Sequence, residues 1–491
     1  MTTSMNPTRS ASYYRCVECY SEVHDDGGQA IECAVCGNSY PSIAEIKLMV
    51  SNPIDLMFSN AERPAVLRQE AENRRKELLS VLEESGADSS DEALSKLESG
   101  YTNQLANLDL IEEALAPVKE FLAGQPQGKS FLGGFLGAGW PASDMFRYFY
   151  RDWHDTEEQK FLTRIFSKAI KEHCAPNPNA VAVLGCGACG LLYSLSEFFP
   201  ASFGVELSIS TLLFAKKVLD GEAITTRFNL PNDEVPIEQL AIGLRGPART
   251  RNGIQLVAAD VNRLPFKSSS LSCVVTQYLF DLMGNQPAFA AEVRRVLEPG
   301  GVWINFGVPQ YVRLQDQITN MNLPAFFAQA GFDLLDLAEH QYVHLDMTEV
   351  SHWSYSYKQP AIFFVVKKNA TEHPESPDGF AEYFAKQGNS VLNKVPRLSA
   401  GIAIQHETLF SQKGIKEQML VEIQQARRLG AIGMAKEAAL FADWFLRQMD
   451  GSRSVGEITT ALRATFGEVL KEGDILKLFR QLQGDAIISL E

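Results

Sequence analysis

Between Ala180 and Lys368 the chain is written as short apolar runs separated by helical stretches, the pattern of an open parallel α/β sheet. The expected strands are Ala180–Leu184, Ser202–Glu206, Gln255–Ala259, Leu271–Gln277, Gly301–Phe306, Phe332–Leu337 and Ile362–Lys367. That stretch is less than half of the 491 residues, and one domain per roughly 150 residues predicts about three domains. The segments are expected to divide at 1–52, 53–140, 141–369 and 380–491, with the polar, Pro-containing run Asn369–Gly379 as a linker.

Composition excludes several classes. Apolar residues make up 45% and charged residues 21%, which is globular usage. The formal charge of -15 repels phosphate backbones and anionic lipid, so neither nucleic acid nor membrane is an expected partner. No run approaches the ~18 apolar residues of a membrane span, and the first residues lack the apolar centre of a signal peptide. A cytoplasmic protein is expected.

Four of the eight cysteines are concentrated near the start, as Cys16-Val-Glu-Cys19 and Cys33-Ala-Val-Cys36. Paired CxxC knuckles let two turns face one tetrahedral ion, so structural zinc is expected; a redox pair or unrelated thiols is the other reading. Four thiolates fill such a site and leave no open position for a substrate. From Glu62 to Gly124, apolar residues including Leu94, Leu97, Tyr101, Leu105, Leu108 and Ile111 recur at helical spacing, and Ser89 with Glu92 makes a capping box. The Gly-rich run Ser130–Gly139 that follows reads either as a lid or as a tight linker.

The chemistry-bearing pattern starts where the first strand enters Gly185-Cys-Gly187-Ala-Cys-Gly190 and then an apolar helical segment. Glycines there let backbone approach a ligand, and the helix N-terminus supplies donors. Glu206 ends the next strand, where a carboxylate can accept from ribose hydroxyls. Asp260 follows the third strand, where by itself it could cap a helix. Gln277 ends the fourth strand, and Leu-Glu-Pro-Gly-Gly301 precedes the fifth.

This succession resembles class I S-adenosylmethionine methyltransferases, which implies a Rossmann-like sheet and that cofactor. From Met145 to Lys368 the chain is similar to the carnosine N-methyltransferase family, in Arg151-Asp-Trp, Phe203-Gly-Val-Glu-Leu-Ser, Gln277-Tyr-Leu-Phe-Asp281, Gly301-Val-Trp-Ile-Asn and Tyr357-Lys-Gln-Pro-Ala-Ile. The resemblance implies methylation of an imidazole nitrogen in a histidine-containing peptide or small molecule. It implies cofactor contacts from Arg151, Gly185, Gly187, Gly190, Glu206, Asp260, Val261 and Gln277, and imidazole contacts from Asp281, Tyr355 and Tyr357. Asp281 could instead cap a helix. Tyr311-Val312 stands where the family has a substrate-binding histidine, with His344 and His352 as candidate replacements. The cysteine segment resembles zinc ribbons of methyltransferase activator subunits. The last hundred residues, with Met449-Asp-Gly-Ser-Arg-Ser-Val-Gly-Glu-Ile458, resemble PqqD-type winged helices, which bind a leader peptide; a packing or dimerisation domain is the alternative. Methylation at another N, O or C centre, or a weakly catalytic cofactor-binding subunit, are the competing functions.

Overall fold

In a computed structural model of the chain, the structure describes residues 13–25, 27–84, 91–125, 142–228, 241–247, 251, 253–283, 286–308, 322–345, 358–370, 396–398, 404–409, 418–423, 452–466, 475, 479 and 488–490. The elements are β1 (Ala30–Glu32), β2 (Ser39–Ile43), β3 (Ile46–Leu48), α1 (Pro53–Glu84), α2 (Asp91–Ala114), α3 (Ala116–Ala123), α4 (Ala142–Trp153) and α5 (Glu157–His173). There follow β4 (Ala180–Leu184), α6 (Gly190–Leu195), β5 (Ala201–Glu206), α7 (Ile209–Leu219), the hairpin β6 (Ala223–Arg227) and β7 (Ala241–Arg245), β8 (Ile254–Ala258), β9 (Leu271–Gln277), α8 (Gln286–Val296), β10 (Leu297–Gly307), α9 (Leu323–Gln329), β11 (Phe332–Val343) and β12 (Lys358–Lys368).

All seven expected strands are present, in one ten-stranded sheet of order β1-β2-β3-β8-β5-β4-β9-β10-β12-β11. The central strands β8, β5, β4, β9 and β10 run parallel, and β12 and β11 close one side antiparallel. Alternate residues of β4 serve different cores: Val181 and Val183 pack into one, Ala180, Ala182 and Leu184 into the other. Two covered faces explain why the central runs are continuously apolar.

Three strands extend well beyond expectation. β12 begins at Lys358 rather than Ile362. β10 begins at Leu297 rather than Gly301, because the Pro-Gly-Gly turn is absorbed as an irregularity between Leu297 and Val302, with Gly300 at φ 78°. β11 extends to Val343 because β12 pairs with it throughout, although its outer residues are polar.

The N-terminal knuckles do not stand apart from the sheet. β3 pairs in parallel with β8, Lys47 opposite Val257, and the Met49 N–H donates to the Ala258 carbonyl at 2.8 Å. Tyr14 bridges to Phe266, and Tyr13, Tyr14, Phe203 and Phe266 form an aromatic cluster with centroids 5.0–6.0 Å apart. Half-buried Glu292 joins the two parts by pairing with Arg15 at 3.4 Å and Arg295 at 2.7 Å. Burial pushes the Glu292 carboxyl up, but the two guanidiniums outweigh it and hold it below its ordinary range.

The expected helices of 62–124 are α1, α2 and α3, with Leu108 and Ile111 buried. The Ser89–Glu92 pairing and the glycine run 130–139 lie outside the described residues. Of the C-terminal segment, the described residues include a helix at Val455–Phe466, a hairpin of Ile404–Leu409 with Gln418–Ile423, and Pro396–Leu398 paired with Ile488–Leu490. The rest of the winged-helix expectation lies outside them. Among the described residues no helix is long and apolar enough to cross a membrane.

Candidate functional site

Sheet register assembles the site. Val257, Val205, Leu184, Thr276 and Asn305 stand side by side, so the strand ends after them share one edge: Ala258, Glu206, Gly185, Gln277 and Phe306. The order reverses between β4 and β9, the switch point at which doubly wound sheets bind ligands.

Backbone shapes the first side of this edge. Gly185 turns away from β4 at φ 64°, and a Cβ there would stand 3.2 Å from the Leu279 side chain. Cys189, also left-handed at φ 67°, starts α6. A Cβ on Gly190 would lie 2.6 Å from the Cβ of Asp152, so only glycine permits the bond from the Gly190 N–H to Asp152 Oδ2 at 2.9 Å. Trp153 Nε1 donates to the Ala188 carbonyl at 2.8 Å, and Arg151 Nε to Asp152 Oδ1 at 2.7 Å. Arg-Asp-Trp is therefore the counterpart that fixes the glycine loop. Burial alone would lower the Arg151 pKa; Asp152 and Glu158 reverse this and raise it.

Glu206 is buried at the end of β5, its Oε1 accepting from the Leu207 and Ser208 N–H groups at 2.8 and 3.1 Å. Burial raises its pKa, tempered by those N–H groups and by that of Gly187. Half-buried Asp260 accepts from the Asn262 N–H at 2.9 Å, capping a turn rather than a helix, with half-buried Val261 beside it. Arg151 Nη1 and Gln277 Nε2 are buried donors with no acceptor among the described residues, the condition left where a polar ligand supplies one.

Side chains shape the other side. Tyr278 follows β9 at φ 52°, its N–H donating to the Phe306 carbonyl at 2.9 Å. Asp281 is buried in a single 3-10 turn, Phe280–Leu282, with Oδ1 3.6 Å from the position of a Cβ on Gly307. The capping position of that turn belongs to Leu279, so Asp281 is not its cap. Tyr355, Tyr357, Tyr311, Val312 and His352 lie outside the described residues. Beneath the edge, Trp303 Nε1 donates to Thr276 Oγ1 and that hydroxyl to Asn305 Oδ1, both at 2.8 Å. The Trp-Ile-Asn element thus locks β9 to β10. Glu158, Tyr278 and Tyr342 join the site without having been singled out in the sequence. Only the nearness of Glu158 to Arg151-Asp-Trp could have drawn attention to it.

The cysteine pairs also meet. The sulfurs of Cys16, Cys19, Cys33 and Cys36 all lie within 4.8 Å of one another, with Cys16–Cys36 and Cys19–Cys33 at 3.5 Å. The Glu18 and Cys19 N–H groups donate to Cys16 Sγ at 3.4 Å, the pattern of a metal-binding knuckle, although burial outweighs them and raises the Cys16 thiol. Burial raises the Cys33 thiol, but Ser21 and the N–H groups of Cys36 and Val35 bring it down to about 6. The set could hold one metal ion.

The family model of carnosine N-methyltransferase matches residues 141–369. The carnosine N-methyltransferases of Mus musculus and Rattus norvegicus are each 22% identical over 251 residues, 45% of this chain and 61% of theirs. The chain therefore matches less than two thirds of the length of these relatives. A solved complex of the Haloferax volcanii Trm112 methyltransferase activator with a methyltransferase aligns with 47% of this chain and 99% of that one, at 15% identity and a TM-score of 0.31. The region 141–369 is an S-adenosylmethionine-dependent methyltransferase domain.

Proposed function

We propose that the chain is an N-methyltransferase that uses S-adenosylmethionine to methylate an imidazole nitrogen of a histidine-containing peptide or small molecule. When bound, the cofactor supplies an electrophilic methyl group on a sulfonium. Glu206 would hold its ribose, Asp260 and Val261 its adenine, and Gly185, Gly187, Gly190, Arg151 and Gln277 its remaining polar parts. The unsatisfied buried donors of Arg151 and Gln277 support that fit.

The observation that carries the acceptor reading is the buried carboxylate of Asp281 against Gly307, at the same strand edge as the glycine loop. A neutral imidazole needs only an aligned lone pair and exclusion of water. Asp281 accepting from the other ring N–H would fix the tautomer and stabilise the cationic product. Tyr355 and Tyr357 would complete the imidazole contacts. The C-terminal resemblance to peptide-binding winged helices supports a peptide as the carrier of the acceptor.

Mass spectrometry of histidine peptides incubated with labelled cofactor should show one methyl on the ring. Efficient methylation of an acceptor without imidazole would move the function to another centre, and no transfer to any acceptor would leave a cofactor-binding subunit. Zinc at Cys16, Cys19, Cys33 and Cys36 would be structural, and elemental analysis of protein prepared without chelator should find one ion per chain.

A further inference from the structure

We propose that Glu158 and His344 are positioning residues: they hold Tyr278, and through it the turn carrying Leu279 and Asp281, against the glycine loop. The inference rests on the methyltransferase reading above and extends it to residues from two distant segments.

Three observations converge. Tyr278 occupies the left-handed region at φ 52°, a conformation a bulky residue adopts only when its surroundings impose it. The two residues that this turn aims are the ones the site uses, since Leu279 packs where a Cβ on Gly185 would stand and Asp281 faces Gly307. Finally, the Tyr278 ring is walled in. The His344 ring lies 4.3 Å away, Phe306 meets it edge-on at 5.8 Å, Tyr342 lies at 6.1 Å, and the Arg151 guanidinium at 5.9 Å.

His344 is the nearest of these neighbours, and it is anchored. Its Nδ1 lies 3.4 Å from Glu158 Oε1, a contact that is an ion pair when the imidazole is protonated, with the Glu158 side chain 3% exposed. Glu158 sits in the first turn of α5, where the helix N-terminus favours a carboxylate. The same few residues therefore brace both sides of the cleft. Asp152 ties down the glycine loop, while Glu158, seven residues after Arg151, steadies the turn through His344 and Tyr278.

A ring that leaves Tyr278 free to relax would let Asp281 drift, and a misplacement of about 1 Å can cost roughly 100-fold in rate. His344→Ala removes both the tilted ring contact and the anchor, whereas His344→Phe keeps a ring against Tyr278. With a histidine-peptide acceptor, His344→Ala should lower kcat about 100-fold while the calorimetric affinity for S-adenosylhomocysteine changes less than twofold, and His344→Phe, which keeps the ring but loses the Glu158 contact, should recover only part of the rate. Hydrogen exchange on the full-length protein with S-adenosylhomocysteine bound needs no acceptor: amides of 277–282 should exchange faster in His344→Ala and Glu158→Gln, and those of β4 should not. Unchanged exchange in that segment overturns the proposal, as does a His344→Phe variant as slow as His344→Ala, or loss of cofactor affinity in parallel with rate. If the native protein methylates no imidazole, the acceptor reading falls and the exchange result alone decides the positioning role.

Discussion

The two sides of the cleft are built from different materials. The side around the glycine turn, which the proposal above gives to the cofactor, is largely main chain: a turn at Gly185, N–H groups directed at Glu206, and a glycine at 190 that admits Asp152. The side around Asp281, which the proposal above gives to the acceptor, is built mainly from side chains of α5, the end of β9 and the residue after β11. A main-chain site tolerates change in the residues around it but depends on the pieces that fix the backbone. A side-chain site can be redirected by single substitutions. Damage to the first should appear as lost affinity or stability, and damage to the second as lost turnover.

The largest effect tests the brace between the two. Asp152→Ala strands the buried Arg151 guanidinium and frees the Gly190 N–H, so urea unfolding should show a loss of about 3–5 kcal/mol. A loss below about 1 kcal/mol would mean that the loop holds itself. Next comes Asp281→Asn, which should leave cofactor affinity intact and lower transfer by about 100-fold, near 2.7 kcal/mol, because the amide can donate to the wrong nitrogen and no longer balances the product's charge. A matching fall in cofactor affinity would erase the distinction between the sides. Glu206→Ala removes a charged acceptor worth on the order of 1.5–3 kcal/mol, so calorimetry should show S-adenosylmethionine binding weakened tenfold or more with kcat at saturation little changed.

The smallest effect separates the carboxylates of Glu206 and Glu292 by pH. Glu206 has a raised pKa, so the folded state holds its proton more tightly than the unfolded state. Its contribution falls as pH rises from the ordinary carboxylate value through the raised one. Glu292 has a lowered pKa, and its contribution is present above the unfolded value and lost as pH falls through the folded one. In ligand-free protein, Glu206→Gln should remove a downward slope of stability with pH and Glu292→Gln an upward one; slopes of the same sign would contradict this assignment.

The same contrast explains what could be read before any coordinates. Strand ends, the glycine turn and Glu206 are neighbours in sequence or fall at regular intervals, so hydrophobic pattern and spacing reveal them. The Cys16 to Cys36 set is legible for a similar reason, since its ligand spacing is local. Glu158 carries no such mark, Tyr278 is marked only as part of Gln277-Tyr-Leu-Phe-Asp281, and His344 only as a candidate replacement for a missing histidine: they meet because β11 pairs with β12 and α5 packs beside β10. Asp281 was legible only through resemblance, and its burial against Gly307 was not. The union of the knuckle strands with the sheet was likewise hidden, because β3 is three residues long and its partner lies far along the chain.

That union has a consequence for how the protein is made. Lys47 and its partner Val257 are separated by 210 residues, so on a ribosome adding about 5–20 residues per second the first strand waits roughly 10–40 s for the one it must join. During that interval the β1–β3 segment has an open pairing edge, and a bound metal ion would hold it folded before its neighbour exists. Nascent chains made under metal depletion should therefore be captured by chaperones or misassemble even where finished protein, its sheet already closed, survives the same treatment.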